Sequence, residues 1–88
     1  MITAVLNFEI NNTFAEWEQA FYRHQPLARE AGIFELYHGH KPDNEKNVCV
    51  VLNILSIEHM QKFMEEHGKE MAESGHILES TVSDIFVN

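Results

Sequence analysis

Ile2, Ala4, Leu6, Phe8 and Ile10 alternate with Thr3, Val5, Asn7 and Glu9, the period of two that places one row of side chains on each face of a strand. Asn11 and Asn12 end that pattern. Thr13 followed by Glu16 then has the spacing of a capping box, and Phe14, Trp17, Phe21, His24 and Ala28 fall on one helical stripe. Pro26 restricts Gln25 away from helical geometry, so this helix is expected to kink there and to finish at Gly32. A second strand is predicted over residues 33–40, and the polar run from Lys41 to Lys46, with Pro42, Asp43 and Asn44 inside, reads as a hairpin turn. A third strand over 47–55 follows. Ser56 then caps a second helix with the stripe Ile57, Met60, Met64, His67 and Met71, interrupted at Gly68 and ended near Gly75. A last strand over 79–87 completes the order βαββαβ.

A shift of 43 residues superposes the caps, stripes and stop signals of the two helices, while the strands align poorly at that offset. Thr13 falls on Ser56, Trp17 on Met60, Phe21 on Met64, His24 on His67 and Gly32 on Gly75. Two βαβ units with right-handed crossovers interleave as a ferredoxin-like α+β sandwich, a four-stranded antiparallel sheet in order 4-1-3-2 with both helices on one face. Residues 1–88 are therefore expected to form a single domain.

The third strand is apolar on both sides, with Val48, Val50, Leu52 and Ile54 on one face and Cys49, Val51 and Leu55 on the other. A face open to water would alternate to charge. The expected cover is the same face of a second copy, giving a homodimer in which two sheets pack as a barrel. Size points the same way: an 88-residue chain buries only about 60% of its unfolded surface and gains by burying more.

Composition narrows the partners. Fourteen acidic residues against six basic ones give a formal charge of −8, with Lys41, Lys46, Lys62 and Lys69 scattered, which excludes a nucleic acid or an anionic membrane surface as partner. No apolar run approaches the roughly 18 to 20 residues of a membrane span, and no basic segment followed by an apolar one marks the start, so a cytoplasmic protein is expected. The single Cys49 allows neither an internal disulfide nor a cysteine-based zinc site and reads as a small buried filler. The acidic residues between Glu65 and Glu73 read as a solvated helix face.

The segments NNTFAEWEQAF (residues 11–21), AGI-F-LYHG (31–39) and V-VVLNILSIEHMQKFMEEHG (48–68) resemble the dimeric α+β barrel superfamily. It includes cofactor-free antibiotic-biosynthesis-type monooxygenases, muconolactone isomerase-like enzymes, haem-binding relatives and stress-responsive barrel proteins. More narrowly they are similar to a domain-of-unknown-function family of short microbial proteins with this fold. The resemblance implies an architecture; it implies no catalytic residue, because one fold hosts several chemistries.

Chemistry is expected between sheet and helices. A pocket there would be apolar, lined by Leu6, Phe8, Trp17, Phe21, Leu36, Leu52, Met60, Met64 and Phe86, with His24, His38 and His67 as its polar groups. Such residues are equally what an amphipathic helix buries, and His24 and His67 sit where an imidazole can cap a helix end. His38 and His40 are expected on the helix side with Phe34 and Leu36, and this pair with His67 could in principle share a metal. No carboxylate completes such a shell, so neither metal nor cofactor is expected. His59 and His76 read as surface residues. Asp84 is expected on the helix side near His24, either as a structural pair or, with His38, as a catalytic candidate. Asn7, Glu9, Glu35, Tyr37 and Asn53 are expected on the helix-free face, fixing the dimer's register.

Three functions follow. The first is a binder of a small apolar or amphipathic molecule, fatty-acid-like or aromatic. The second is a cofactor-free oxygenase or isomerase acting on a phenolic or enolisable substrate through Trp17, His38 and Asp84. The third is a stress-response or interaction module with a close-packed interior.

Overall fold

Helix α1 (Phe14–Glu30) begins where the capping box places it. The Thr13 hydroxyl accepts from the Glu16 amide at 3.2 Å, and the Glu16 carboxylate accepts from the Thr13 amide at 3.1 Å. The computed structural model, which describes residues 2–88, surrounds this helix with β1 (Ile2–Ile10), β2 (Ile33–Lys41), β3 (Asn44–Ile54), α2 (Ile57–Glu73) and β4 (His76–Val87). The strands form one antiparallel sheet in the order β2-β3-β1-β4, which is the expected 4-1-3-2 read from the other edge.

Three local expectations change. Helix α1 runs unbroken through Pro26, and α2, capped by Ser56, runs unbroken through Gly68. Proline forfeits one backbone bond there, but the buried side chains on either side, Ala20 and Ala28, keep the helix on the sheet. The β2–β3 hairpin closes over Pro42 and Asp43 alone, so β3 starts three residues earlier than the hydrophobic pattern indicates. Strand β4 likewise starts at His76, three residues before the expected Glu79.

Both helix-to-strand turns use a glycine with positive φ, 80° at Gly32 and 106° at Gly75. A side chain at Gly75 would run into Asn12. Asn12 itself donates from Nδ2 to the Ser74 carbonyl at 2.9 Å, and the Asn11 amide donates to the Gly75 carbonyl at 2.8 Å. The end of β1 is thereby tied to the end of α2.

Register fixes the two faces of the sheet. Toward the helices lie Ala4, Leu6, Phe8 and Ile10 of β1 and Val48, Val50, Leu52 and Ile54 of β3, all buried, with Ile33, Trp17, Ala20, Ala28 and Met60 packed over them. The helix-free face carries rows across all four strands: Phe34, Asn53, Thr3 and Phe86; then Tyr37, Val51, Val5 and Asp84; then Gly39, Cys49, Asn7 and Val82. Thr3 and Asn53 share a 3.3 Å hydrogen bond in the first row.

Two irregularities decide which residues face which way. A bulge between Glu35 and Tyr37 places Leu36 out of register, so Glu35, His38 and His40 face the helices while Phe34 and Tyr37 face away. Phe34 therefore does not share the face of His38, Leu36 is exposed at the bulge, and Glu35 does not belong to the helix-free set. In β4, residues 78–81 stand opposite the single Phe8. Beyond them Ser83 and Ile85 face the helices, whereas Val82, Asp84 and Phe86 face away. Among the described residues no helix is long and apolar enough to cross a membrane.

Candidate functional site

Between the helix-facing side of the sheet and the two helices lies an apolar cavity of about 90 Å³. Leu6, Phe8, Val50 and Leu52 form its floor, Trp17, Phe21 and Ala28 of α1 one wall, and Met60, Phe63, Met64 and Met71 of α2 the other. The alternating strand pattern and the two helical stripes put these residues there. Phe21 and Trp17 stack at 4.9 Å, and Phe8 lies 5.7 Å from Trp17, so an aromatic panel closes the α1 side. Unbranched methionines give the α2 side room to repack.

The polar groups of the wall are His24, Gln25, Ser74 and His76. His76 contradicts the expectation of a surface residue, being only 6% exposed. Its ring stacks on Phe8 at 3.7 Å, and its Nε2 shares a 2.7 Å hydrogen bond with the Thr81 hydroxyl, which the β4 irregularity brings back over it. Burial pushes the imidazole down to about 4, so it is neutral at pH 7. A neutral imidazole is a hydrogen-bond donor and acceptor, not a charge.

Of the residues expected to line the pocket, Leu6, Phe8, Trp17, Phe21, His24, Leu52, Met60 and Met64 do so. Leu36, His38, His67 and Phe86 do not. Leu36 sits at the β2 bulge and is 54% exposed. His67 lies outside the cavity, in a groove between the end of α1 and the outer side of α2 with Leu27, Glu30 and Lys62. There its Nδ1 meets the Glu70 carboxylate at 2.8 Å, so it caps neither helix nor cavity. Asp84 faces away from the helices beside Val5, on the opposite side of the sheet from His24, and the expected Asp84–His24 pair does not form.

His38 stands behind the α1 wall, with its ring 5.0 Å from Phe21 and 6.1 Å from Trp17. Its Nδ1 meets the Glu35 carboxylate and its Nε2 the Glu18 carboxylate at 2.7 Å, with the Tyr22 hydroxyl 3.3 Å from the same nitrogen. Burial opposes its charged form, but the hydrogen bonds to Glu35 and Glu18 and their negative charges outweigh that and hold the imidazole above its usual value. Both nitrogens are thus engaged, joining α1 to β2. His40 turns its Nδ1 to the Lys41 carbonyl at 2.7 Å and its ring edge to Phe14. The spacing of His38 and His40 therefore does not make a metal pair, and among the described residues no three His, Cys, Asp or Glu side chains are grouped to hold a metal.

Sequence reasoning missed His76, Gln25 and Ser74. The signal at His76 was its place directly after Gly75, where the chain re-enters the sheet; an imidazole beside a turn nonetheless reads as solvent-facing until the strand's start is known.

The family model that matches this chain spans residues 1–88 and is described as a domain of unknown function, DUF3764. The chain belongs to the DUF3764 family. No curated protein sequence matches it significantly. Solved structures share its fold. A protein named for the antibiotic biosynthesis monooxygenases, from Bordetella bronchiseptica, superposes with a TM-score of 0.77 at 12% identity, covering 99% of this chain and 95% of that one. SnoaB, a cofactor-independent oxygenase from Streptomyces nogalater, gives 0.65 at 13% identity over 99% and 91%. An uncharacterized NIPSNAP domain protein from Burkholderia xenovorans gives 0.63 at 9% over 100% and 94%. At these identities the likeness is one of fold, and a shared fold assigns no chemistry to the cavity.

Proposed function

We propose that this DUF3764 protein binds a small, mainly apolar molecule in the cavity between sheet and helices, as a single-domain protein that pairs with a second copy through its helix-free face. The observation that carries the reading is an apolar cavity whose wall includes a buried, neutral imidazole. Interiors are otherwise packed to the density of organic crystals, so a void with polar residues in its wall is a place for a guest. The void also weighs against a module with a close-packed interior.

Size limits the guest. At about 90 Å³ the cavity is smaller than the roughly 150 Å³ space that accommodates benzene in a dry protein interior. A guest the size of benzene or of a five-carbon chain enters as Met60, Met64 and Met71 repack, and a long acyl chain does not fit. Pairing is supported by Phe34, Tyr37, Leu55, Val82 and Phe86, all between 43% and 64% exposed on or beside one sheet face.

Trp17 is the only tryptophan and stands in the cavity wall, so its fluorescence reports occupancy. Benzene, indole and short hydrocarbons are expected to shift its emission saturably, and Ala28→Phe, which fills the void, to abolish the shift. No saturable response to any of them would overturn the reading.

The fold shared with SnoaB, together with the His76 imidazole in an apolar space, favours a second reading: oxidation of a phenolic or enolisable guest without a cofactor. Oxygen consumption with such compounds, lost in His76→Phe, would support it; none across a substrate panel would remove it.

A further inference from the structure

We infer that the cavity accepts uncharged guests bearing one hydrogen-bonding group, an alcohol, aldehyde or ketone, and rejects the corresponding carboxylates, with His76 recognising the polar group. The inference rests on the binding-site reading above and narrows it. No lysine or arginine is among the wall residues, so a carboxylate would enter without a fixed counter-charge and lose its hydration uncompensated.

The polar end of the cavity is moreover built against anions. Ser74 is the C-cap of α2, which places the negative end of that helix's dipole at the wall. No basic residue stands in the last turn of α2 to offset that end of the dipole. His76 follows within two residues. Because burial keeps it neutral at pH 7, it supplies no compensating charge.

The same imidazole suits a neutral polar group. Its Nε2 is held by Thr81, and Nδ1 makes no hydrogen bond among the described residues. The Thr81 hydroxyl can donate or accept, so either tautomer of His76 is allowed. In one Nδ1 accepts from an alcohol, and in the other it donates to a carbonyl.

Pentan-1-ol, butanoate and pentane, closely matched in size, distinguish the alternatives when titrated against the intact protein at pH 7 with Trp17 fluorescence as readout. Pentan-1-ol is expected to bind about tenfold or more tighter than butanoate. His76→Phe is expected to weaken pentan-1-ol several-fold more than it weakens pentane, and His76→Gln, which keeps a donor and an acceptor, to restore much of the alcohol's affinity. Butanoate binding as tightly as pentan-1-ol overturns the inference, and so does an unchanged alcohol affinity in a folded His76→Phe. Should that variant not fold, the comparison of alcohol with carboxylate in the natural protein still decides. Failure of pentane as well as pentan-1-ol to bind would instead remove the binding site itself.

Discussion

His38 and His76 face the same layer of the molecule and respond to protons in opposite ways. His38 is held above the ordinary imidazole value by Glu35 and Glu18, so its contribution to stability is fully present below about pH 6.5 and is lost as pH rises through its raised folded value. His76 is pushed down to about 4, so the unfolded chain binds its proton first. Its neutral form is retained without penalty above about pH 6.5, and stability is lost as pH falls toward 4, by up to about 3 kcal/mol. Denaturant melts at a series of pH values therefore separate the two. Relative to His38→Asn, the natural protein is expected to lose its advantage on going from pH 6 to pH 8. Relative to His76→Phe, it is expected to weaken between pH 6.5 and 4. Parallel curves in either comparison would count against the assignment for that histidine. Nothing in residue type separates these two imidazoles; one has carboxylates on both nitrogens and the other an aromatic ring against its face.

Elements were legible where a local signal suffices. Thr13 and Glu16 specify the start of α1, and Ser56 that of α2, because a cap is a bond between neighbours three residues apart. Thr13→Ala is expected to cost about 1 kcal/mol by removing the reciprocal pair, measured by chemical denaturation, with Thr13→Ser retaining most of it. No loss in Thr13→Ala would show that the cap is redundant with tertiary packing. Strand faces were legible only where the ladder is regular. In β1 and in β3 up to Ile54 the assignment of residues to faces agrees with the register, including the buried row Val48, Val50, Leu52 and Ile54. In β2 and β4, which lie at the two edges of the sheet, the bulge at Leu36 and the irregular residues 78–81 invert the alternation. Edge strands pair on one side only and tolerate such insertions, and each inserted residue flips every side chain beyond it. That is why Asp84, Phe86 and Leu36 left the expected pocket.

At the scale of the whole molecule, the helix-free face leaves Phe34, Tyr37, Val82 and Phe86 exposed, and the dimer proposed for it is testable by substitution there. Val82→Asp and Phe86→Asp add charge to a face already carrying Asp84 and are expected to shift the protein from dimer to monomer in sedimentation, whereas Leu27→Asp on the outer helical groove should leave assembly unchanged. A natural protein that sediments as a monomer at micromolar concentration would refute the pairing. The order βαββαβ, the helix starts and the core of the two central strands follow from the sequence alone, since periodicity, caps and turns act over a few residues. The cavity, its neutral His76 and the carboxylate clamp on His38 depended on how edge strands register against the centre of the sheet. Those contacts join residues as far apart as Glu18 with His38 and Phe8 with His76, and no local pattern encodes a distance that the bulges themselves set.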